Sequence, residues 1–410
     1  MSIEYRWTEE SQVVASPSDE RYLTTAQVAH RLGVKETTVY TYASRGLLRS
    51  HKLDGRRGSF FRQDEIDDFV AKGRDTRQAS GAVERIRTEL TLLDDDLLFY
   101  RGHNAGELAL TVSFEAVAGL LWTGELEMTR NFPRYDSLVE VVRTALAALP
   151  AQTGTIDAMK VAVAVLGAVD PLRLDLSTPA VVRVGQKLIG VLADALPGGG
   201  AGAEPGRALI AQRLADKLGG RPVDIALLNL ALVLLADHDL AVSTVAARVA
   251  ASARAHPYAV VSAGLGAVDG RYHGVQSTFA YRFLAEAMDN PLRAVAERQR
   301  AGGIPGFGHR VYHAHDPRAD VLLGLLRGHP DGIDVMATVD AVIVAADSFP
   351  NVDLALAALM HAYDMRPDAG ETIFALARVA GWLAHAIEEY REPGLRFRPL
   401  GVYSGVRPER

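Results

Sequence analysis

Six stretches of this chain set imidazole, carboxylate or guanidinium groups, most of them beside glycine, inside long runs rich in Ala and Leu. They are LADHDLAVST around His238, DGRYHGVQS around His273, IPGFGHRVYHAHDPRAD with His309 and Arg318, NVDLAL with Asp353, FALARVAGWLAHAIEE with Arg378, and LRFRPLGVYSG with Arg396 and Arg398. Charged groups among apolar helix formers lose hydration unless a partner or a task compensates them, so each needs a reason to be there. Histidine and carboxylate are the usual carriers of proton transfer, and the planar guanidinium grips a carboxylate in a two-point fork. The chain has no cysteine, which excludes thiolate catalysis, disulfides and Cys-ligated metal. Any catalysis must run on His, Asp, Glu, Arg, Lys or hydroxyls.

Taken singly, each stretch has an ordinary reading. A lone helical histidine is commonly a satisfied core or surface residue. Arg378, Trp382, His385 and Glu389 follow helical spacing and could form one helix face with pairs inside the helix. His309, His313 and His315 suggest a metal site, but their spacing suits no single helical face and no carboxylate pair accompanies them, so no metal or other cofactor is expected.

The elements that must hold these groups are mostly helical. Aromatic residues make only 7% of the chain against 48% hydrophobic residues, a balance that favours helices packed through small side chains. From Glu84 onward, helical periodicity follows helical periodicity with short Gly, Pro or Asp breaks, and few runs alternate as strands do. LPGGGAGAEPG, residues 196–206, lacks the Gly-Lys-Ser/Thr ending of a phosphate-binding loop and reads as a flexible interhelical loop. The acidic start and the lack of a long uncharged apolar run predict a soluble, cytoplasmic protein with no membrane partner.

The net charge of −6 is unevenly spread, since residues 21–74 carry eleven basic side chains against six acidic ones. In YLTTAQVAHRLGVKETTVYTYASRGLLRS, Thr24 and Gln27 have the spacing of a capping box, which predicts a helix start there. Val28, Leu32, Val34, Val39 and Leu47 bury one side of two short helices, with Gly33 at the turn between them. Asp54 and Gly55 then suit a tight hairpin, and a last amphipathic helix carries Ile66 and Phe69. This segment resembles the winged helix-turn-helix of the MerR and phage-excisionase type. The resemblance implies DNA as a partner, with Thr37, Thr38 and Thr41 of the second helix reaching the major groove and Arg56 and Arg57 neutralising phosphates from the wing. The alternative is a solvated accessory domain whose arginines are only surface charge.

Taken together and in this order, the six stretches of the body resemble the citrate synthase family. LLFYRGHNAGELALTVSFEAVAGLLWTGEL is similar to that family's YRGYxxxELA segment, and GFGHRVYHAHDPRA, NVD and FALAR are similar to its later signatures. The likeness runs from about residue 82 to the C-terminus. It implies a mainly α, two-domain fold: after a flexible N-terminus (1–20) and the winged helix-turn-helix (21–75), a large domain (76–268), a small domain (269–370), and a return to the large domain with a C-terminal arm (371–410).

The resemblance also implies a reaction, condensation of acetyl-CoA with oxaloacetate to give citrate and CoA, or of propionyl-CoA to give 2-methylcitrate. Asp353 is then the base that takes the thioester's α-proton, His273 the donor that stabilises the enol, and His309 the group that polarises the ketone of oxaloacetate. Arg318, Arg378 and His238 bind oxaloacetate. Arg396, with Arg398 as its rival, arrives from the neighbouring subunit of a homodimer. CoA lies against Ile304, Gly306 and Gly308, and the small domain closes over the large one once oxaloacetate is bound. A different class of function also fits, a DNA-binding regulator whose body senses an acyl-CoA or a dicarboxylate; retention of Asp353 argues against it. Two positions depart from the family pattern: Val275, Gln276 and Ser277 follow Gly274 where Gly-Ala-Asn is usual, and Asp239 replaces glutamate after His238.

Overall fold

The computed structural model describes residues 14–15, 21–32, 34–44, 48–53, 58–63, 65–66, 86–128, 130–198 and 209–397. The chain divides into two compact units, residues 1–86 with 397–410, and residues 87–396.

In the first unit, Thr24 and Gln27 close the capping box read from the sequence. The Thr24 N–H donates to Gln27 Oε1 at 2.9 Å, and the Gln27 N–H donates to Thr24 Oγ1 at 3.3 Å. Helices Thr25–Leu32 and Glu36–Ser44 follow. Strand Arg21–Thr24 pairs antiparallel with Phe60–Arg62, setting Leu23 opposite Phe61. Leu23, Val28, Ala29, Val39, Leu48, Phe61 and Ile66 make the core, with Leu32 and Val34 packed at its edge. His51 and Phe60 bridge through two backbone hydrogen bonds, as the arms of a wing would. Thr37 and Thr41 are exposed and Thr38 is half-buried. Gly33, Leu47, the tip residues Asp54, Gly55, Arg56 and Arg57, and Phe69 lie outside the described residues.

The second unit is helical apart from one small sheet. Strands Thr91–Asp94, Leu97–Tyr100 and His103–Asn104 pair antiparallel in sequence order. The run TLLDDDLLFY is too short for a convincing alternation, and what makes the hairpin is its turn, where Asp95 and Asp96 take φ of 49° and 57°. Asn104 caps the next helix, Ala105–Thr111, by accepting from the Gly106 and Glu107 N–H groups. The helices then wrap one long member, Ala369–Arg391, which is buried along nearly its whole length. Small residues allow this close packing: a Cβ on Gly264 would lie 2.6 Å from the Trp382 ring. Among the described residues no helix is long and apolar enough to cross a membrane.

Candidate active site

The loop before His309 is fastened to the helix that carries Asp353. Gly306 and Gly308 take φ of 86° and 67°, the left-handed region that only glycine enters without strain. The Gly306 carbonyl accepts from the Asn351 N–H, the Gly308 N–H donates to the Phe349 carbonyl, and Asn351 Nδ2 donates to the Gly308 carbonyl, all at 2.8–2.9 Å. A Cβ at Gly306 would lie 2.8 Å from the Leu354 Cβ. Asn351 also caps the helix Val352–Ala362, accepting from the Asp353 N–H at 2.9 Å.

Asp316 ties a third element to these two. It binds Arg318 bidentately, at 2.9 Å to Nε and 2.8 Å to Nη2, and accepts from the Val352 N–H at 3.0 Å. Arg318 keeps Nη1 for another ligand and lies over the Tyr312 ring, 5.3 Å from its centroid. Tyr312 in turn packs on His309 and bonds His238, Oη to Nε2, at 3.0 Å. His238 and His309 meet edge to face with ring centroids 5.2 Å apart.

The surroundings set the protonation states. His309 Nδ1 accepts from the Val311 N–H at 3.1 Å and the Tyr312 N–H at 3.4 Å, so the neutral ring carries its proton on Nε2. The next two N–H groups, of His313 and Ala314, donate to the Asp96 carboxylate at 2.8 and 2.6 Å, which ties the turn after His309 to the tip of the hairpin. Burial, helped by the charge of Arg318, holds the His309 imidazole down to about 4. Burial and Arg378 hold His273 down to about 4 as well. His238 lies well below its ordinary range for the same reason, with Arg318, Arg378, His309 and His273 all adding to the effect of burial. All three rings are neutral at pH 7. Asp353 moves the other way: burial pushes its carboxyl up to about 7, with Arg318 opposing and Asp316 assisting.

His273 is engaged from the opposite side. Its Nε2 lies 2.7 Å from Ser243 Oγ, and its ring meets Phe374 edge to face. Phe374 also lies under Arg378, 4.6 Å from the guanidinium carbon. Arg378 is fully buried, donates Nε to the Leu235 carbonyl at 2.8 Å, and leaves Nη2 without a hydrogen-bond partner. Burial lowers this guanidinium to about 10, the mark of a cation awaiting an anion.

Tyr312 and Phe374 therefore join His238, His273, His309, Arg318 and Arg378 into one cluster, and the Gly306 loop and Asp316 fasten Asp353 to it. Arg396 is otherwise occupied, its Nε and Nη2 bound by Glu389 at 2.7 and 2.6 Å. Arg398 lies outside the described residues. The reading of Arg378, Trp382, His385 and Glu389 as a face with pairs inside its own helix needs correction. All four are buried, and His385 and Glu389 bond Arg248 on another helix while His385 also reaches Asp237. Sequence reasoning also passed over Tyr312, Ser243, Asp316 and Asp96. Tyr312 and Asp316 lie inside the histidine-rich stretch, and an Asp before Pro is a helix N-cap signal that could have drawn notice. Ser243 and Asp96 carry no local signal. Of the departures from the family pattern, Val275 is half-buried at the N-cap of helix Gln276–Asp289 and Ser277 is buried, donating to the Gly274 carbonyl at 3.4 Å.

The family model described as "Citrate synthase, C-terminal domain" matches residues 81–400. The chain belongs to the citrate synthase family. A second model, described as "Helix-turn-helix domain", matches residues 22–74. Among similar proteins, 2-methylcitrate synthase 2 of Corynebacterium glutamicum is 29% identical over 341 residues, covering 75% of this chain and 88% of that protein. Citrate synthase 2 of Bacillus subtilis is also 29% identical, covering 80% of this chain and 96% of that protein. The crystal structure of citrate synthase from Thermotoga maritima is 28% identical, covers 80% of this chain and 96% of its own, and superposes with a TM-score of 0.63. That from Pyrobaculum aerophilum is 26% identical, covers 80% and 92%, and gives 0.67. This member of the citrate synthase family is thus an acyltransferase with a helix-turn-helix domain at its N-terminus.

Proposed function

We propose that the chain condenses an acyl-CoA with oxaloacetate, acetyl-CoA giving citrate and propionyl-CoA giving 2-methylcitrate, and that acetyl-CoA is its substrate. The observation that carries the reading is the fastening of the His309 loop to the helix of Asp353, whose carboxyl is pushed up to about 7 while His309 and His273 are held down to about 4. Such a carboxylate is basic enough to accept a proton from the methyl group of the thioester and is still ionised in useful proportion at neutral pH. The tautomer of His273 that this role requires has Nε2 accepting from Ser243 Oγ, 2.7 Å away, and the Nδ1–H stabilising the enol oxygen. His309 donates from Nε2 to the ketone oxygen of oxaloacetate. The new carbon–carbon bond forms between the methyl and ketone carbons, the alkoxide takes up a proton, and water then cleaves the thioester to release CoA.

Arg378 with its open Nη2 and Arg318 with its remaining Nη1 supply the positive charge for the two carboxylates of oxaloacetate, and His238 adds a contact. Ile304, Gly306 and Gly308 form the wall for CoA. For the arginine shared across a homodimer we assign Arg398, since Arg396 is bound by Glu389 of its own chain. Arg398→Met should then raise the oxaloacetate KM more than Arg396→Met does. Thiol release measured with oxaloacetate and each thioester tests the whole reading: turnover with acetyl-CoA, lost in Asp353→Asn, is expected. Preference for propionyl-CoA would reassign the substrate, and no turnover with either would reject the enzyme.

A second reading concerns the N-terminal domain, where an exposed helix face with Thr37 and Thr41 sits in a segment of net positive charge. We propose that it binds DNA, with Thr38 at the edge of the contact and Arg56 and Arg57 on phosphates. Fluorescence polarisation with mixed-sequence duplex should show binding that falls steeply with salt and weakens in Arg56→Ala with Arg57→Ala. Binding indifferent to salt and to these changes would leave the domain an accessory module.

A further inference from the structure

An open cleft of about 670 Å³ lies at the end of helix Asp136–Ala147 and shares no lining residue with the site described above. Three cations line it: Arg143, Lys217 and Arg366. Lys217 is only 8% exposed, and among the described residues its ammonium has neither a hydrogen bond nor an ion pair. Its stem is buried while its ammonium opens on the cleft, where no described carboxylate lies within ion-pair distance. Asp194 and Asp216 act on it only at a distance, and both oxygens of Asp194 are already bound by Arg213. Burial and the charge of Arg143 push the ammonium below its ordinary value.

The other two cations also have capacity left. Arg143 donates Nη2 to the Asp194 carbonyl at 2.7 Å and has no carboxylate partner among the described residues. Arg366 pairs its Nε with Asp368 at 3.6 Å and makes only long bonds with its other nitrogens, Nη1 to the Pro197 carbonyl at 3.4 Å and Nη2 to Thr155 Oγ1 at 3.5 Å. Asp368 offsets Arg366, and no carboxylate is among the residues that line the cleft with the three cations. Apart from Thr153 and Thr155 the rest of the wall is apolar, Leu146, Leu149 and Pro197 among it.

We propose that this cleft binds an organic phosphate, with a phosphate monoester dianion seated among Arg143, Lys217 and Arg366 and an apolar body lying on Leu146, Leu149 and Pro197. An anion suits a wall with three cations and no carboxylate, guanidinium and ammonium groups together are a usual phosphate cradle, and the volume falls in the range of small-molecule sites.

The test is calorimetric titration of the full chain with phenyl phosphate while CoA and oxaloacetate fill the catalytic site. Nucleotides are avoided as probes because CoA itself contains one. Saturable binding at millimolar concentration or tighter is expected, weakened about tenfold or more in Lys217→Met and in Arg143→Met. Inorganic phosphate should bind about tenfold more weakly than phenyl phosphate, because it leaves the apolar wall uncovered. The Lys217→Met protein should melt no lower than the parent, since methionine keeps the apolar packing of the buried stem and the lost ammonium has no partner among the described residues, so its loss of binding would not reflect unfolding. Absence of saturable heat, or affinity unchanged in Lys217→Met, would overturn the site; equal affinity for the inorganic ion would overturn its assignment to an organic ligand.

Discussion

Asp353→Asn should destroy turnover and at the same time make the protein more stable at alkaline pH. The carboxyl of Asp353 ordinarily titrates at 3.8 and is pushed up to about 7 in the folded chain, chiefly by burial. Between those values the folded protein keeps a proton that the unfolded chain has released. Stability therefore falls as pH rises through that window and is flat with respect to this group above it. Ionising this carboxyl costs about 4 kcal/mol over the full window, a net figure that already contains its attraction to Arg318. The amide carries no charge and fits the same space. Asp353→Asn should be about 2–4 kcal/mol more stable than the parent near pH 8, with the difference vanishing near pH 4. Urea denaturation of both proteins at several pH values, with thiol release in parallel, measures both effects. Parallel stability profiles for the two proteins between about pH 4 and 7 would refute the inferred environment of Asp353. Retained turnover would refute its role as base.

Arg378→Met should raise the oxaloacetate KM about 100-fold, the worth of charge-assisted bonds to one carboxylate, without lowering the melting temperature; Arg378→Lys should recover part of that loss. Gly306→Ala forces a Cβ to 2.8 Å from Leu354 at a φ of 86°, so it should cost about 1–3 kcal/mol in denaturation and lower kcat by separating the His309 loop from the Asp353 helix. Asp96→Ala frees the His313 and Ala314 N–H groups and should lower kcat/KM about tenfold with little change in melting, because Asp96 is only half-buried and acts by holding the turn after His309. The pH profile of kcat/KM in the parent should rise through about 7 as Asp353 loses its proton, and a profile flat from about pH 5 to 8 would count against that assignment.

Residue types, their order and their local spacing were legible in the sequence. The capping box of Thr24 and Gln27 and the helix-turn-helix act within a few residues, where sequence spacing and distance in space are nearly the same thing. The motif stretches marked all seven residues that resemblance assigned to catalysis and oxaloacetate binding, and the fold brings six of them together or fastens them to the cluster. The seventh, Arg396, it sets against Glu389 of the same chain. The hairpin of residues 91–100 escaped notice because two aspartates in left-handed conformation, not alternation, define it. Tertiary structure alone decided the chemistry of the groups. The protonation of Asp353 and the histidines depends on burial, which is set by elements distant in sequence. Ser243 lies 30 residues from His273, and Asp96 lies more than 200 from the turn it holds. The helix face of His385 and Glu389 became a buried network only when Arg248 met it across a helix interface. A sequence names the groups, whereas desolvation and long-range partners fix their charge, and those exist only once the chain has folded.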